Sequence, residues 1–283
     1  MSKKFKDLWN YFDCIRCINL VSRPDRYSNS KKIFDKYYIP VEYYKTEKHK
    51  KGGEYGCFKS HINVIREAYY NGDKNILVFE DDIISTEYLT PKYLETAIDF
   101  MENEKWDIFY LGALPNINFY RSKRTRYKGI YKLKGICTHA YVLNRKAMKR
   151  LIGLKYNGTP IDYYYIRNFD RCFAIYPTMF NQGLSESDLR DNWWYKYTDK
   201  NRVTKFYRCI EWYAYYINYP IVLFVPILVL IAAWFICGMY NRYHWICLIS
   251  LIFAFLIFAI IAWKDSKIRK KHHRRYQRSC KNA

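Results

Sequence analysis

The chain is short of negative charge: 26 Asp and Glu stand against 48 Lys and Arg, a formal net charge of +22. That excess raises nucleic acid, anionic membrane and phosphate-bearing substrates as partners. Missing before residue 219, however, is the long Lys/Arg block of a nucleic-acid arm, and no nucleic-acid recognition motif is present, so no nucleic-acid partner is expected. No second cysteine pair at zinc spacing follows Cys14 and Cys17, which excludes a zinc ribbon or finger. Met1-Ser2-Lys3-Lys4 does not open a signal peptide, so a reducing, cytosol-facing setting without disulfides is expected. No internal repeat or low-complexity segment appears ahead of residue 219, and a composition half apolar and one-fifth aromatic excludes disorder.

A further absence organises the chain. No Asp, Glu, Lys or Arg occurs between Glu211 and Arg242, and none between Arg242 and Lys264. Residues 219–239 and 245–263 are apolar on every face and long enough to cross ~30 Å of hydrocarbon, so they are expected to form a transmembrane hairpin. Trp212, Tyr213, Tyr215, Tyr216 and Tyr219 crowd one end and Trp263 closes the other, as aromatic belts do. The tail, 264–283, carries nine Lys/Arg against one Asp, which places it on the cytosolic face, in reach of anionic headgroups. Two crossings return the chain to the side it left. The expected organisation is thus a catalytic domain over 1–210, a hairpin within 211–263 and a basic cytosolic tail, with the lipid bilayer as a partner. Pro220 and Pro226 leave open a hairpin that dips into the membrane without crossing it.

In the first 210 residues, strands are predicted at Cys14–Leu20, Val41–Tyr44, Asn75–Phe79, Trp106–Leu111, Tyr131–Leu133 and Ala140–Leu143. Helices are predicted from Pro24 to about Tyr37, Glu54 to Tyr70, Thr90-Pro91 to Met101, and Arg145 to Ile152. Ser22 and Asp25 have capping-box spacing at the start of the first helix. Arg121–Lys128 reads as a basic loop between strands. Strands alternating with helices imply an α/β fold with a mainly parallel sheet.

The run Asn75–Phe79 ends in three acids, Glu80, Asp81 and Asp82. Ligands of open α/β sheets gather outside the carboxyl ends of strands. Adjacent carboxylates repel one another, and a fold that keeps them together commonly supplies a cation. Hard oxygen ligands favour Mg2+ or Mn2+. Glu80 and Asp82, at acid-x-acid spacing, are the candidate metal ligands; a solvated turn is the alternative.

Around this triplet the sequence reads Ile18-Asn19-Leu20 with Arg23 and Arg26, then Gly53-Glu54-Tyr55-Gly56-Cys57 with Ser60-His61, then Leu77-Val78-Phe79-Glu80-Asp81-Asp82. These segments, in order, resemble glycosyltransferase family 25, which includes lipopolysaccharide-modifying enzymes and procollagen galactosyltransferases. Gly135–Tyr141, Pro160-Ile161-Asp162, Gln182 and Ser185–Asp188 resemble its later segments. The resemblance runs from about Cys14 to Leu189 and does not include the hairpin. It implies a GT-A-like nucleotide-sugar-binding domain, a UDP-sugar donor (often UDP-galactose), a divalent metal and inversion at the anomeric carbon. Asn19, Arg23 and Arg26, at a strand end and helix start, suit nucleotide or phosphate. Glu54, Ser60 and His61 share one helix and take a donor-site role from the family context, as does Asp81, which could instead serve the metal.

An inverting transfer needs a carboxylate to take the acceptor proton. Asp162 is the candidate base and Asp188 its rival; Asp162 could equally cap a helix. Cys57 has no base fixed beside it and reads as a packing residue. The acceptor is a hydroxyl on a glycan, lipid-linked or protein molecule. The alternative function is a non-catalytic, membrane-attached scaffold built on a decayed transferase domain.

Overall fold

The computed structural model describes residues 2–116 and 122–183. Both apolar runs, the basic tail and Asp188 lie outside the described residues, and among those described no helix is long and apolar enough to cross a membrane.

The N-terminal strands make a parallel unit. β1 (Cys14–Leu20) leads through α2 (Pro24–Lys36) to β2 (Glu42–Thr46), and α3 (Gly53–Asn71) then returns the chain to β3 (Asn75–Glu80) on the other side of β1. β4 (Ile83–Ser85) and α4 (Pro91–Asn103) follow, then β5 (Ile108–Pro115), the short pair β6 (Lys123–Arg124) and β7 (Ile130–Lys132), and the ten-residue β8 (Gly135–Asn144). α5 (Arg145–Leu151), α6 (Ile161–Asn168), β9 (Cys172–Ile175) and β10 (Phe180–Gln182) are the last elements among the described residues, and α1 (Ser2–Trp9) is the first. The main sheet has the order β2-β1-β3-β8-β5-β9-β7-β6. Six of its eight strands run one way; β8, wedged between β3 and β5, and β7 are reversed. β10 and β4 form a separate antiparallel pair.

Strand alternation builds two cores, one per face of the sheet. Leu77, Phe79, Phe109 and Val142 pack with Phe34 of α2, Leu94 of α4 and Trp9 of α1. Ile76, Val78, Tyr110 and Tyr141 pack on the opposite face with Ile62 and Ile65 of α3, Met148 of α5 and Tyr165 of α6. Residues 76–79 are fully buried because both faces are covered.

The predicted helices begin close to where their sequence signals lie. Thr90 caps α4 by accepting the backbone N–H of Tyr93, with Pro91 in the first turn. The expected capping box at α2 does not form. Arg23 is the residue before the helix, and its guanidinium holds both oxygens of Asp25 at 3.0 and 2.8 Å, so that carboxylate is not available to Ser22. The basic segment after residue 121 is not wholly loop either, since Lys123 and Arg124 pair with Lys132 and Tyr131.

Gly112 in β5 marks a close approach. A Cβ there would sit 2.3 Å from the Phe180 carbonyl oxygen and 2.7 Å from Nε2 of His139. Those two atoms are themselves hydrogen-bonded at 3.1 Å, tying β8 to β10 beneath the acidic triplet. Gly112→Ala is expected to destabilise the domain by roughly 2–4 kcal/mol, because the clash is with backbone and a fully buried ring. Chemical denaturation of the variant checks this; an unchanged midpoint would mean that β10 is not held where described.

Candidate active site

The connection leaving β1 runs through α2 to β2 on one side, and the connection leaving β3 runs through α4 to β5 on the other side of the sheet order. Neighbouring strands whose connections leave in opposite directions open a crevice at their carboxyl ends. The reversed β8 brings its early residues to the same edge, because Phe79 pairs with Ala140. The sequence thereby gathers Asn19, Glu80–Asp82 and Cys137–His139 at one place.

The three acids have different surroundings. Asp81 is buried and acts as a clamp: it accepts from Asn19 Nδ2 at 2.8 Å, the Leu20 N–H at 3.2 Å and an Arg26 guanidinium nitrogen at 3.1 Å. Burial raises its carboxyl even against these donors. Asp82 has only part of such a set. Gln182 Nε2 donates to its Oδ2 at 3.1 Å and Arg26 lies 3.4 Å from the same oxygen, while Oδ1 is buried with no hydrogen-bond partner among the described residues. Burial first, and the neighbouring Glu80 second, push its carboxyl up to about 7. The Asp82 carbonyl also accepts from Gly183 N–H, where a side-chain Cβ would come within 2.7 Å.

Glu80, the last residue of β3, is half-buried, and its Oε1 lies 3.4 Å from His61 Nε2. His61 is packed inside α3, and its Nδ1 is 2.7 Å from the Tyr141 hydroxyl, which is 3.1 Å from that of Tyr165. Cys57, one turn before His61, completes a Cys57–His61–Glu80 group whose ligand atoms lie within 4.8 Å of one another. Burial and the surrounding acids push the Cys57 thiol well up, so it is poorly suited to act as a nucleophile.

Asp162 sits in the first turn of α6, after Pro160 as the capping residue, so it is not the N-cap. Its carboxylate accepts from the N–H of Tyr163 at 2.8 Å and from Cys137 at 3.3 Å. Burial, with Glu80 adding to it, raises its carboxyl. Cys137 has φ = 54°, a left-handed conformation that costs a residue with a side chain of order 1–3 kcal/mol. Its N–H faces Asp162 from that backbone.

A family model described as glycosyltransferase family 25 (LPS biosynthesis protein) matches residues 1–165, more than half of the 283. The chain belongs to glycosyltransferase family 25. The matched span takes in the acidic triplet, Glu54, His61 and Asp162, and stops before Gln182 and Asp188. Among curated proteins, a human one named "Inactive glycosyltransferase 25 family member 3" is 40% identical over 62 residues, 21% of this chain and 10% of that protein. The match thus spans about a tenth of the relative's length. Among solved structures, a glycosyltransferase involved in glycosylation of the major capsid of PBCV-1 aligns with 69% of this chain and 99% of its own, at 10% identity and a TM-score of 0.39. UDP-glucose pyrophosphorylase complexed with UDP-glucose aligns over 64% and 79%, at 11% and 0.36.

Of the residues singled out in the sequence, Asn19, Arg26, His61, Glu80, Asp81, Asp82 and Asp162 come together at this edge. Arg23 is engaged with Asp25, the Ser60 hydroxyl donates back to the Gly56 carbonyl at 2.9 Å, and Glu54 accepts from the Tyr156 hydroxyl at 3.0 Å. Sequence reasoning did not single out Tyr141 and Tyr165 as partners of His61, nor Cys57 as a neighbour of Glu80. The spacing Cys57-x-x-x-His61 on a helix was the available signal for the latter.

Proposed function

We propose that the protein is a membrane-anchored glycosyltransferase of GT-A type that moves a hexose, with galactose foremost, from a UDP-sugar to an acceptor hydroxyl with inversion. The acceptor is a glycan, a lipid-linked molecule or a protein. The two uncharged runs at 219–239 and 245–263 are the proposed anchor, with the domain and tail facing the cytosol.

The observation that carries this reading is the Oδ1 of Asp82, buried and without a hydrogen-bond partner among the described residues. A buried carboxylate oxygen without a donor, beside a second carboxylate, suits a cation, and oxygen ligands from Glu80 and Asp82 suit Mn2+ or Mg2+. When bound, that ion would neutralise charge on the departing diphosphate. Asp81 holds Arg26 at the sheet edge, and Arg26 supplies positive charge beside Asp82. Asp162, raised by burial and oriented by the N–H groups of Cys137 and Tyr163, takes the acceptor hydroxyl proton.

The test is turnover by the full-length chain in detergent against a panel of UDP-sugars, with Mn2+ and with EDTA. Metal-dependent UDP release favouring one donor is expected. Asp162→Asn is expected to lower kcat by about 10²–10⁴ with donor affinity little changed, as for loss of a general base. A folded protein that neither binds nor turns over any donor would favour the scaffold alternative. An unimpaired Asp162→Asn enzyme would transfer the role of base to another carboxylate, with Asp188 the first candidate.

A further inference from the structure

α3 carries Cys57 and His61 four residues apart, so both side chains leave the same face of the helix, one turn from each other. That face meets the end of β3, where Glu80 stands. The Cys57 thiol, the His61 ring and the Glu80 carboxylate each offer one ligand atom within 4.8 Å of the others. Around an ion with bonds of about 2.0–2.3 Å the ligand atoms sit roughly 3.3–3.8 Å apart, so side-chain movements of about 1 Å would close the set. His61 is already held from behind, with Nδ1 at 2.7 Å from the Tyr141 hydroxyl and Tyr165 beyond it. An imidazole fixed through one nitrogen by a hydrogen bond, with the other aimed at a carboxylate and a thiol, has the supporting contact that metal-bound histidines have.

We propose that Cys57 Sγ, His61 Nε2 and the Glu80 carboxylate form a three-ligand site for a borderline-soft transition-metal ion of the zinc class. This ligand set differs in kind from the oxygen-only pair Glu80–Asp82: thiolate and imidazole select Zn2+ or Co2+ over Mg2+. Glu80 is common to both. On binding, the Sγ–H bond gives way to an Sγ–metal bond and its proton leaves to solvent. His61 binds through the Nε2 lone pair with Nδ1–H donating to Tyr141. Three protein ligands leave a fourth position open on the ion. The proposal does not rest on the transferase reading and can survive its failure.

The probe is Co2+, titrated into the metal-free, full-length protein in detergent. One equivalent is expected to produce sulfur-to-cobalt charge-transfer absorption, displaced by one equivalent of Zn2+. Cys57→Ser should remove the band and Asp82→Asn should keep it. Tyr141→Phe should weaken Co2+ binding about 10–100-fold without removing the band. No band in the wild-type protein, or a band of undiminished intensity in Cys57→Ser, would overturn the proposal. If circular dichroism shows Cys57→Ser misfolded, His61→Gln decides: weakened binding supports the site, unchanged binding overturns it. Loss of UDP-sugar turnover with the cobalt band intact would count against the transferase reading alone.

Discussion

Asp82→Asn is expected to stabilise the metal-free domain while removing transfer. In the folded protein the Asp82 carboxyl is raised to about 7, against 3.8 for an ordinary aspartate. Between those values the unfolded chain has released its proton and the folded chain has kept it, so stability falls as pH rises from about 4 to about 7. Each pKa unit is worth about 1.4 kcal/mol, which makes the penalty on the order of 4 kcal/mol above pH 7. Asparagine carries no such penalty. It can still accept from Gln182, and the melting temperature of Asp82→Asn in EDTA should lie above that of the wild type at pH 7.5 and converge with it near pH 4. Mn2+ should raise the wild-type melting temperature and leave the variant nearly unmoved. UDP release should drop by on the order of a hundredfold or more, since an ion held by one carboxylate in place of two stabilises the leaving diphosphate poorly. Wild type and variant melting in parallel across that pH range would show that Asp82 is not the strained group described.

The adjacent carboxylate behaves in the opposite way. Asp81→Ala is expected to cost about 3–5 kcal/mol, because Asn19 Nδ2 and the Leu20 N–H lose their acceptor and the Arg26 guanidinium loses its closer anion. These contacts join the end of β1, the first turns of α2 and the end of β3, so their loss should loosen this edge of the sheet as a unit. Denaturant titration at pH 7 measures the effect, and Asn19→Ala should show a smaller part of it. If Asp81→Ala were as stable as the wild type, the clamp would be incidental, and Asp81 would be free to serve the donor or metal directly.

This contrast shows what the sequence could and could not disclose. The strand Asn75–Phe79 and its acidic end were legible because a run of apolar residues covered on both faces has few other solutions. The surroundings of Asp81 and Asp82 were not legible, since they are set by partners 55 to 100 residues away: Asn19, Arg26 and Gln182. β4, β6, β9 and β10 span two to four residues each, too few to show a period. α1 was legible in principle, for Phe5, Leu8, Trp9 and Phe12 carry helical spacing. The reversal of β8 was not, because an apolar run such as Ala140–Leu143 reads the same in either direction. His61 was singled out for the donor site, but its contacts were not legible. Its ring is held by the Tyr141 hydroxyl, which is placed by a sheet pairing rather than by neighbours in the chain.

Residue 165, where the family match ends, has a bearing on biogenesis. β9, which holds β7 and through it β6 against β5, begins at Cys172, and β10, with Gln182 and Gly183, reaches Asp82 only at the end of the described chain. On the ribosome, the acidic triplet is therefore made about a hundred residues before the segment that orders it. Until that segment leaves the exit tunnel, the nascent domain lacks one wall of its own site. A gene trimmed to the matched span would lose β9 and β10 and leave β7 and β6 without their link to β5.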